Sequence, residues 1–82
     1  MFYVYAIESE VGKKTYIGYT SNIGNRLEYH NSGYVKSTSK DVPWRIVALE
    51  KIDNENKARW TERSLKKSLG KRLKWIDKNG IE

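Results

Sequence analysis

The first predicted helix carries two ionisable residues on the side that should be buried. Ile23, Arg26, Leu27 and His30 recur at i, i+3, i+4 and i+7, which is the spacing of an apolar stripe on a helix. Arginine can bury its stem and keep its charge in water, and a lone histidine often only caps or packs. A charge on a core-facing stripe at the edge of a cleft is nevertheless a candidate functional group.

The second predicted helix has the same feature. Ala58, Glu62, Leu65 and Leu69 fall at i, i+4, i+7 and i+11, so Glu62 lies within the face that should be buried. A buried carboxylate is costly unless it is paired or binds a metal. Glu62 is therefore a candidate metal ligand. Alternatively, it pairs with the arginine or the histidine of the first helix, or a rotated helix places it at the rim.

The tyrosines are concentrated in the first 34 residues, at Tyr3, Tyr5, Tyr16, Tyr19, Tyr29 and Tyr34. Four of them lie on two predicted strands, where tyrosine commonly packs across strands. A phenol can also transfer a proton, contact a phosphate or stack on a base. A glycine within the second strand, Gly18, indicates close approach by a backbone or a ligand.

The pattern along the chain predicts a small α+β domain with the order β-β-α-β-α-α. Turn residues separate the runs, with Ser21 or Asn22 expected to cap the first helix and Asp53 or Asn54 the second. The expected elements are strands at 2–8 and 15–20, a helix ending near Asn31, a polar loop at 32–42, a strand at 44–51, a long helix ending near Gly70 and a last helical stretch at 71–78.

Length and composition narrow the classes of protein to which the chain can belong. The chain has 82 residues and no cysteine, so we expect one domain over 1–82, without disulfides, a cysteine nucleophile or a thiolate metal site. The apolar runs are too short for a transmembrane helix, and the first residues do not resemble a signal peptide. We therefore expect a cytoplasmic protein without a membrane partner and without an appended target-reading module.

The net charge of +6 is unevenly distributed. Residues 1–56 hold seven basic and seven acidic side chains, whereas residues 57–82 hold nine basic and three acidic ones. All of the excess charge, 9 − 3 = +6, therefore lies in the last third of the chain. Such a patch suits a polyanion, most often nucleic acid, although it also suits a well-solvated basic helix.

Several ordered elements of the sequence resemble the GIY-YIG nuclease domain. Tyr3-Val4-Tyr5 and, ten residues later, Tyr16-Ile17-Gly18 resemble its paired signature. The remaining matches, in order, are Arg26, His30, Gly33, Thr38, Pro43-Trp44 and Glu62. Their order and spacing resemble those found in the small single-domain members of the family, which are related to the N-terminal nuclease domain of the excision-repair subunit UvrC. The resemblance covers nearly the whole chain.

The resemblance implies a three-stranded antiparallel sheet flanked by helices and a phosphodiesterase site dependent on Mg²⁺ or Mn²⁺. It implies that Glu62 holds the metal, that Arg26 is the catalytic arginine, and that Tyr5 and Tyr16 are the signature tyrosines. His30 matches a position that is His or Tyr in the family. We expect Tyr16 to be the general base, with Tyr5 orienting it, while His30 is an alternative proton acceptor.

The sequence departs from the family pattern at three places. Tyr3 stands where Gly is usual, Tyr19 stands where repair-type members have a lysine, and their asparagine after the metal glutamate has no secure counterpart.

Three hypotheses about the function follow from the sequence. The first is a DNA endonuclease, in repair or recombination. The second is a nucleic-acid-binding module of the same fold with weak or no activity. The third is a structural or protein-interaction domain whose inward charges pair.

The expected partner is DNA, with RNA not excluded, and a targeting protein or a second copy of the chain is a further expected partner. We expect Tyr19, Lys36, Thr38 and Lys40 to contact nucleic acid, because lysines and hydroxyl groups in a loop suit backbone phosphates. An exposed aromatic residue could also stack on a base. For Trp60 we instead expect packing against Leu73 and Ile76 of the last helix.

Overall fold

The computed structural model describes residues 1–36 and 38–81 and has the predicted α+β architecture. A three-stranded antiparallel sheet is flanked by three helices in the order β-β-α-β-α-α. The elements are β1 (Phe2–Ser9), β2 (Thr15–Thr20), α1 (Ile23–Asn31), a short 3-10 turn (Ser39–Asp41), β3 (Trp44–Ile52), α2 (Glu55–Lys67) and α3 (Leu69–Asn79). Within the described part of the chain, no helix combines the length and apolar character needed to cross a membrane.

The strand order is β2-β1-β3, so β1 is the central strand. β1 pairs with β2 in continuous register, with Tyr5 opposite Gly18 and Ile7 opposite Tyr16. Its pairing with β3 has an irregularity between Ala6 and Ile7. β1 has a strand partner on each side and helical residues packed on both of its faces, so four successive residues of it, from Val4 to Ile7, are buried.

The alternation of side chains along β1 builds two apolar clusters on opposite faces of the sheet. One contains Val4 and Ala6 with residues of α2, and partly buried residues of α3 pack against it. The other contains Tyr5 and Ile7, and the α1 residues Ile23 and Leu27 pack against it. The second face carries the signature tyrosines, so the sheet lies between these rings and the main α2–α3 core.

Two asparagines begin the first two helices, and they are Asn22 and Asn54 from the pairs of candidates that the sequence offered. The side chains of Asn22 and Asn54 accept hydrogen bonds from Asn25 N and Lys57 N at 3.1 and 2.8 Å. The predicted end of the second helix was wrong. Ser68 leaves the helical conformation and its Oγ caps α3, so α2 ends at Lys67 rather than near Gly70.

The helix break at Ser68 changes the surroundings of several residues. Leu69 was expected on the buried stripe of the second helix but opens α3 and is largely exposed. Trp60 was expected to pack on the last helix but is 69% exposed. Trp75 and Ile76 pack against the core instead, and Trp75 Nε1 donates a hydrogen bond to Glu50 Oε1 at 2.7 Å.

The segment expected as a polar loop at 32–42 is more structured than predicted. It contains the 3-10 turn and a fully buried Thr38, and the Trp44 indole donates a hydrogen bond to Thr38 O at 2.9 Å. Ser37 of this segment lies outside the described residues. These contacts bind the loop to the end of the sheet where the two signature strands and α1 meet.

Candidate active site

Three rings form a cluster at the interface of β1, β2 and α1. The ring centroids of Tyr5 and Tyr16 are 6.5 Å apart, those of Tyr5 and His30 5.9 Å, and those of Tyr16 and His30 5.0 Å. Both histidine contacts are edge-to-face, the arrangement that aromatic quadrupoles favour. The structure therefore brings the two signature tyrosines together with the histidine of the first helical stripe.

A buried hydrogen-bond chain fixes the orientation of His30. The Tyr5 hydroxyl lies 2.9 Å from His30 Nε2, and His30 Nδ1 lies 3.0 Å from Thr38 Oγ1. Thr38 has a single hydroxyl proton, which it donates to Val35 O at 3.3 Å. We therefore assign the proton of the neutral imidazole to Nδ1, so that Nε2 accepts the Tyr5 hydroxyl proton.

Gly18 makes room for the Tyr5 ring. A Cβ atom at this position would lie 2.5 Å from Tyr5 Oη and 2.7 Å from Cζ, closer than real Cβ contacts occur. The close approach that the sequence predicted at Gly18 is therefore made by a side chain of the neighbouring strand. The glycine of the second signature is what lets the tyrosine of the first lie flat against β2.

Burial shifts the two titratable groups at the centre of the cluster in opposite directions. Desolvation raises the pKa of the Tyr5 phenol well above its usual value, with Tyr16 adding to the rise, Arg26 opposing it and Glu62 adding a further small rise. Desolvation, and then the Arg26 guanidinium, lower the pKa of His30 from 6.5. Both shifts favour the neutral form, so near pH 7 the chain consists of a neutral phenol and a neutral imidazole.

Arg26 lies on α1 beside this cluster and faces a surface groove. The groove has a volume of about 430 Å³ and is lined by Thr20, Asn22, Asn25, Arg26 and Tyr29. The guanidinium carbon is 5.8 Å from the centroid of the Tyr29 ring. A cation at the wall of an open groove is accessible to a phosphate, which arginine can bind with two parallel hydrogen bonds.

Glu62 approaches the site from α2 with a cation that the sequence analysis missed. Its side chain is only 19% exposed and pairs with Lys66, at 3.2 Å between Oε2 and Nζ. The same ammonium lies 5.1 Å from the centroid of the Tyr16 ring. Of the alternatives for Glu62, pairing is therefore observed, but with Lys66 rather than with Arg26 or His30. The i, i+4 spacing of Glu62 and Lys66 was the available signal.

The residues present fit a cation of the Mg²⁺ type. Within residues 1–36 and 38–81, no group of three or more His, Cys, Asp or Glu side chains converges on one point, so a site with many protein ligands is not formed there. Glu62 is a single carboxylate that is partly open to solvent. Mg²⁺ usually keeps several waters and takes only one or two protein carboxylates, which matches this donor set.

The four residues expected to contact nucleic acid differ in accessibility. Lys36 and Lys40 are exposed. Tyr19 is half-buried, donates a hydrogen bond to Glu55 and accepts one from Arg59, each at 3.3 Å. For Thr38 the structure corrects the interpretation, because its side chain is fully buried and bonded to His30. Its place is inside the hydrogen-bond chain rather than against a phosphate.

Comparison with known proteins identifies the family of this fold. The family model described as the GIY-YIG catalytic domain matches residues 1–75. The match includes both signature strands, α1 and Glu62. The chain therefore belongs to the GIY-YIG family, which is a family of nucleases, as the signature residues had predicted.

Two bacterial relatives align along nearly the whole chain. A UPF0213 protein of Pediococcus pentosaceus is 34% identical over 82 residues, covering 98% of this chain and 85% of the relative. A UPF0213 protein of Syntrophus aciditrophicus is 38% identical over 80 residues, covering 94% and 91%. Neither name states an activity. No solved structure matches this chain significantly.

Proposed function

We propose that this protein is a divalent-metal-dependent endonuclease that hydrolyses phosphodiester bonds in DNA. One observation carries the proposal: Tyr5, Tyr16 and His30 form a single cluster, with Arg26 and the Glu62–Lys66 pair beside it. These groups come from separate elements, β1, β2, α1 and α2, and titratable groups that a fold gathers in this way are characteristic of a functional site.

The roles follow from accessibility. Tyr16 is half-buried whereas Tyr5 is almost fully buried and bonded to His30, so Tyr16 is the tyrosine that can reach an attacking water. As a general base it acts as the phenolate, with the Lys66 ammonium beside its ring to attract that negative charge. His30 holds the Tyr16 ring in place through an edge-on contact, and the Tyr5 ring lies beside it at a tilt of 35°.

Arg26 and Glu62 are the two side chains that act on the phosphate in this proposal. The Arg26 guanidinium binds the phosphoryl oxygens and stabilises the charge that develops on them. Glu62 would hold the metal ion, which when bound supplies Lewis-acid stabilisation of the leaving 3′ oxygen. Lys66 adds a cation near the same carboxylate. In the repair-type members the additional lysine follows the second signature, where this chain has Tyr19.

One observation favours a second candidate, a nucleic-acid-binding module without turnover. The Lys66 ammonium lies 3.2 Å from the Glu62 carboxylate, and a side chain that neutralises this carboxylate competes with a metal ion for it. In that candidate the groove still binds nucleic acid through Arg26, and the Glu62–Lys66 pair only joins α2 to the site. The two candidates differ in whether divalent metal produces cutting.

The test is cleavage of supercoiled, nicked and branched DNA with Mg²⁺ or Mn²⁺ and with EDTA. The variants are Tyr16→Phe and Glu62→Gln, and Glu55→Gln is the matched control. Glu55 lies on the same helix and pairs with Arg59 at i, i+4, as Glu62 pairs with Lys66. Circular dichroism verifies that each variant is folded. We expect metal-dependent cutting that falls at least about 100-fold in the two site variants, the scale of a lost general base, and persists in the control.

Measurements of DNA binding distinguish the nuclease from the binding module and from a purely structural role. Glu62→Gln retains binding in EDTA if its role is to hold the metal. Salt-sensitive binding by the wild type without cutting of any substrate would contradict the proposal and favour the binding module. Loss of folding in Glu62→Gln, together with weak binding by the wild type, would instead indicate the structural role in which the charges merely pair.

A further inference from the structure

Two tyrosines that the catalytic cluster does not use form an exposed aromatic pair. Tyr29, near the end of α1, is 48% exposed, and Tyr34, just beyond the helix, is 77% exposed. Their ring centroids are 5.8 Å apart and their planes are inclined by only 30°. Large aromatic side chains usually bury most of their area. A stacked pair that is exposed to solvent is therefore a candidate surface for binding a ligand. We call it the tyrosine platform.

The platform is continuous with the phosphate-binding side of the site. The groove at Arg26 is lined at its far wall by Asn25 and Tyr29. The same two residues also line a second depression, of about 250 Å³, which extends past Glu28 and Ser32 to Tyr34. The Arg26 guanidinium carbon lies 5.8 Å from the Tyr29 centroid. A ligand bound at Arg26 therefore has a continuous path along α1 to the face of Tyr34.

The charges along this path differ at its two ends. Arg26 provides a cation at one end, whereas the depression at Tyr34 contains the Glu28 carboxylate. A phosphate is attracted to the first and repelled by the second. The Tyr34 end therefore fits a neutral, flat group with amino protons to donate, which is the chemistry of a nucleotide base. Aromatic side chains bind bases by stacking, whatever the base sequence.

We propose that the tyrosine platform stacks an unpaired nucleotide base next to the phosphate held by Arg26. A base inside a duplex is already stacked on both neighbours and cannot offer a face to Tyr34. The substrate class is therefore nucleic acid that is single-stranded, or frayed, at the point of attack. The inference rests on the proposed function for the adjoining phosphate and extends it by naming the form of the substrate.

The experiment measures binding in EDTA, so that cleavage does not interfere. Fluorescence anisotropy compares one labelled sequence as single-stranded DNA, as single-stranded RNA and as a DNA duplex. The variants are Tyr34→Leu, which removes the ring, and Tyr34→Phe, which keeps it. Trp60→Leu is the control, because Trp60 is also an exposed aromatic residue but points about 200° around α2 from Glu62. Tyr34 is preferred to Tyr29 because Tyr29 contacts Arg26.

We expect Tyr34→Leu to weaken single-strand binding on the order of tenfold, the effect of losing one base stack. Binding of Tyr34→Phe and Trp60→Leu, and duplex binding by all variants, should change less than about twofold. A single strand of the same length made entirely of abasic nucleotides should bind the wild type at least about tenfold more weakly than the strand with bases. On the abasic strand Tyr34→Leu should lose little more, because a shared contact can be lost only once.

Each outcome decides the proposal. A Tyr34→Leu loss confined to single strands supports base stacking, and the single strand that binds more tightly, DNA or RNA, identifies the sugar that the groove accepts. A Tyr34→Leu effect of equal size on duplex and single strand, or no effect on either, overturns it. If Tyr34→Leu does not fold, the fully abasic strand still tests the inference on the wild type, and equal binding of the abasic strand and the strand with bases overturns it.

The proposed function fails or holds independently of this result. Tyr34-dependent single-strand binding without cutting in Mg²⁺ or Mn²⁺ retains the platform and refutes the nuclease. Metal-dependent cutting that is equally efficient on fully paired and unpaired substrates, and indifferent to Tyr34, retains the nuclease and refutes the platform.

Discussion

At the scale of single residues, the buried histidine determines the chemistry of the site. His30 is 1% exposed, and both of its ring nitrogens have partners. It faces Tyr5 from β1, Tyr16 from β2 and Arg26 from its own helix. Burial and the neighbouring guanidinium lower its pKa, because a second positive charge there would be both desolvated and repelled. The folded state therefore favours the neutral imidazole.

The preference of the folded state for a neutral His30 predicts a loss of stability in mild acid. The unfolded chain protonates its histidine near pH 6.5, whereas the folded chain does so only at lower pH. Below about pH 6.5 the unfolded state therefore binds more protons, and the free energy of unfolding falls as the pH falls. Urea unfolding at pH 7.5 and 5.5 measures the effect. His30→Gln should show a smaller decrease, and an identical decrease in both proteins would contradict the prediction.

The hydroxyl of Thr38 is predicted to position His30. Thr38→Val keeps the shape of the side chain but leaves the Nδ1 proton buried without a partner, which should cost about 1–3 kcal/mol. Thr38→Ser keeps the hydroxyl and should also keep the pH dependence of stability, whereas Thr38→Val should alter it. Urea midpoints and their pH dependence test both statements. Destabilisation by Ser with none by Val would contradict the prediction, because it would mean that only the methyl group matters.

At the scale of elements, the site depends on how closely β1 and β2 approach. Gly18→Ala places a methyl group against Tyr5 Oη and Cζ, so the ring must move and its bond to His30 is lost. We expect destabilisation by about 1–3 kcal/mol together with loss of cutting. Gly24→Ala on α1 is the control, because its Cβ would meet only Asn22 Oδ1 at 3.8 Å. It should stabilise the helix by up to about 1 kcal/mol. Equal stability of the two variants would refute the packing argument.

The sequence predicted the elements better than it predicted their contacts. Hydrophobic alternation and asparagine caps are local signals, and they predicted β2, α1 and the caps of α1 and α2 correctly. The break at Ser68 was missed because its neighbours continue a helical pattern on both sides, and only the cap on Lys71 N shows that a new helix begins. Spacing also identified Arg26, His30 and Glu62. It did not reveal Lys66 beside Tyr16 or the burial of Thr38, since both depend on packing between distant segments.

At the scale of the whole molecule, the excess charge belongs to two helices. Residues 57–82 carry the net +6 of the chain, and most of them lie on α2 and α3. Two of these cations are paired on α2, Arg59 with Glu55 and Lys66 with Glu62. Since α2 also brings Glu62 to the site, a strand of nucleic acid bound at Arg26 could continue along this basic surface, where lysines would neutralise its phosphates.

A matched pair of double variants separates such local contacts from overall charge. Lys67→Gln with Lys71→Gln, at the α2–α3 junction, and Lys13→Gln with Lys51→Gln, on the hairpin turn and β3, each reduce the net charge from +6 to 6 − 2 = +4. If the junction contacts phosphates, its variant should lower the slope of log Kd against log salt concentration by about 0.7–0.9 for each lysine. The other variant should leave the slope nearly unchanged. Titrations from low to moderate salt measure both slopes. Equal slopes for the two double variants would mean that the basic helices act only through the long-range electrostatic field of the protein. The nucleic-acid strand would then leave Arg26 by another path.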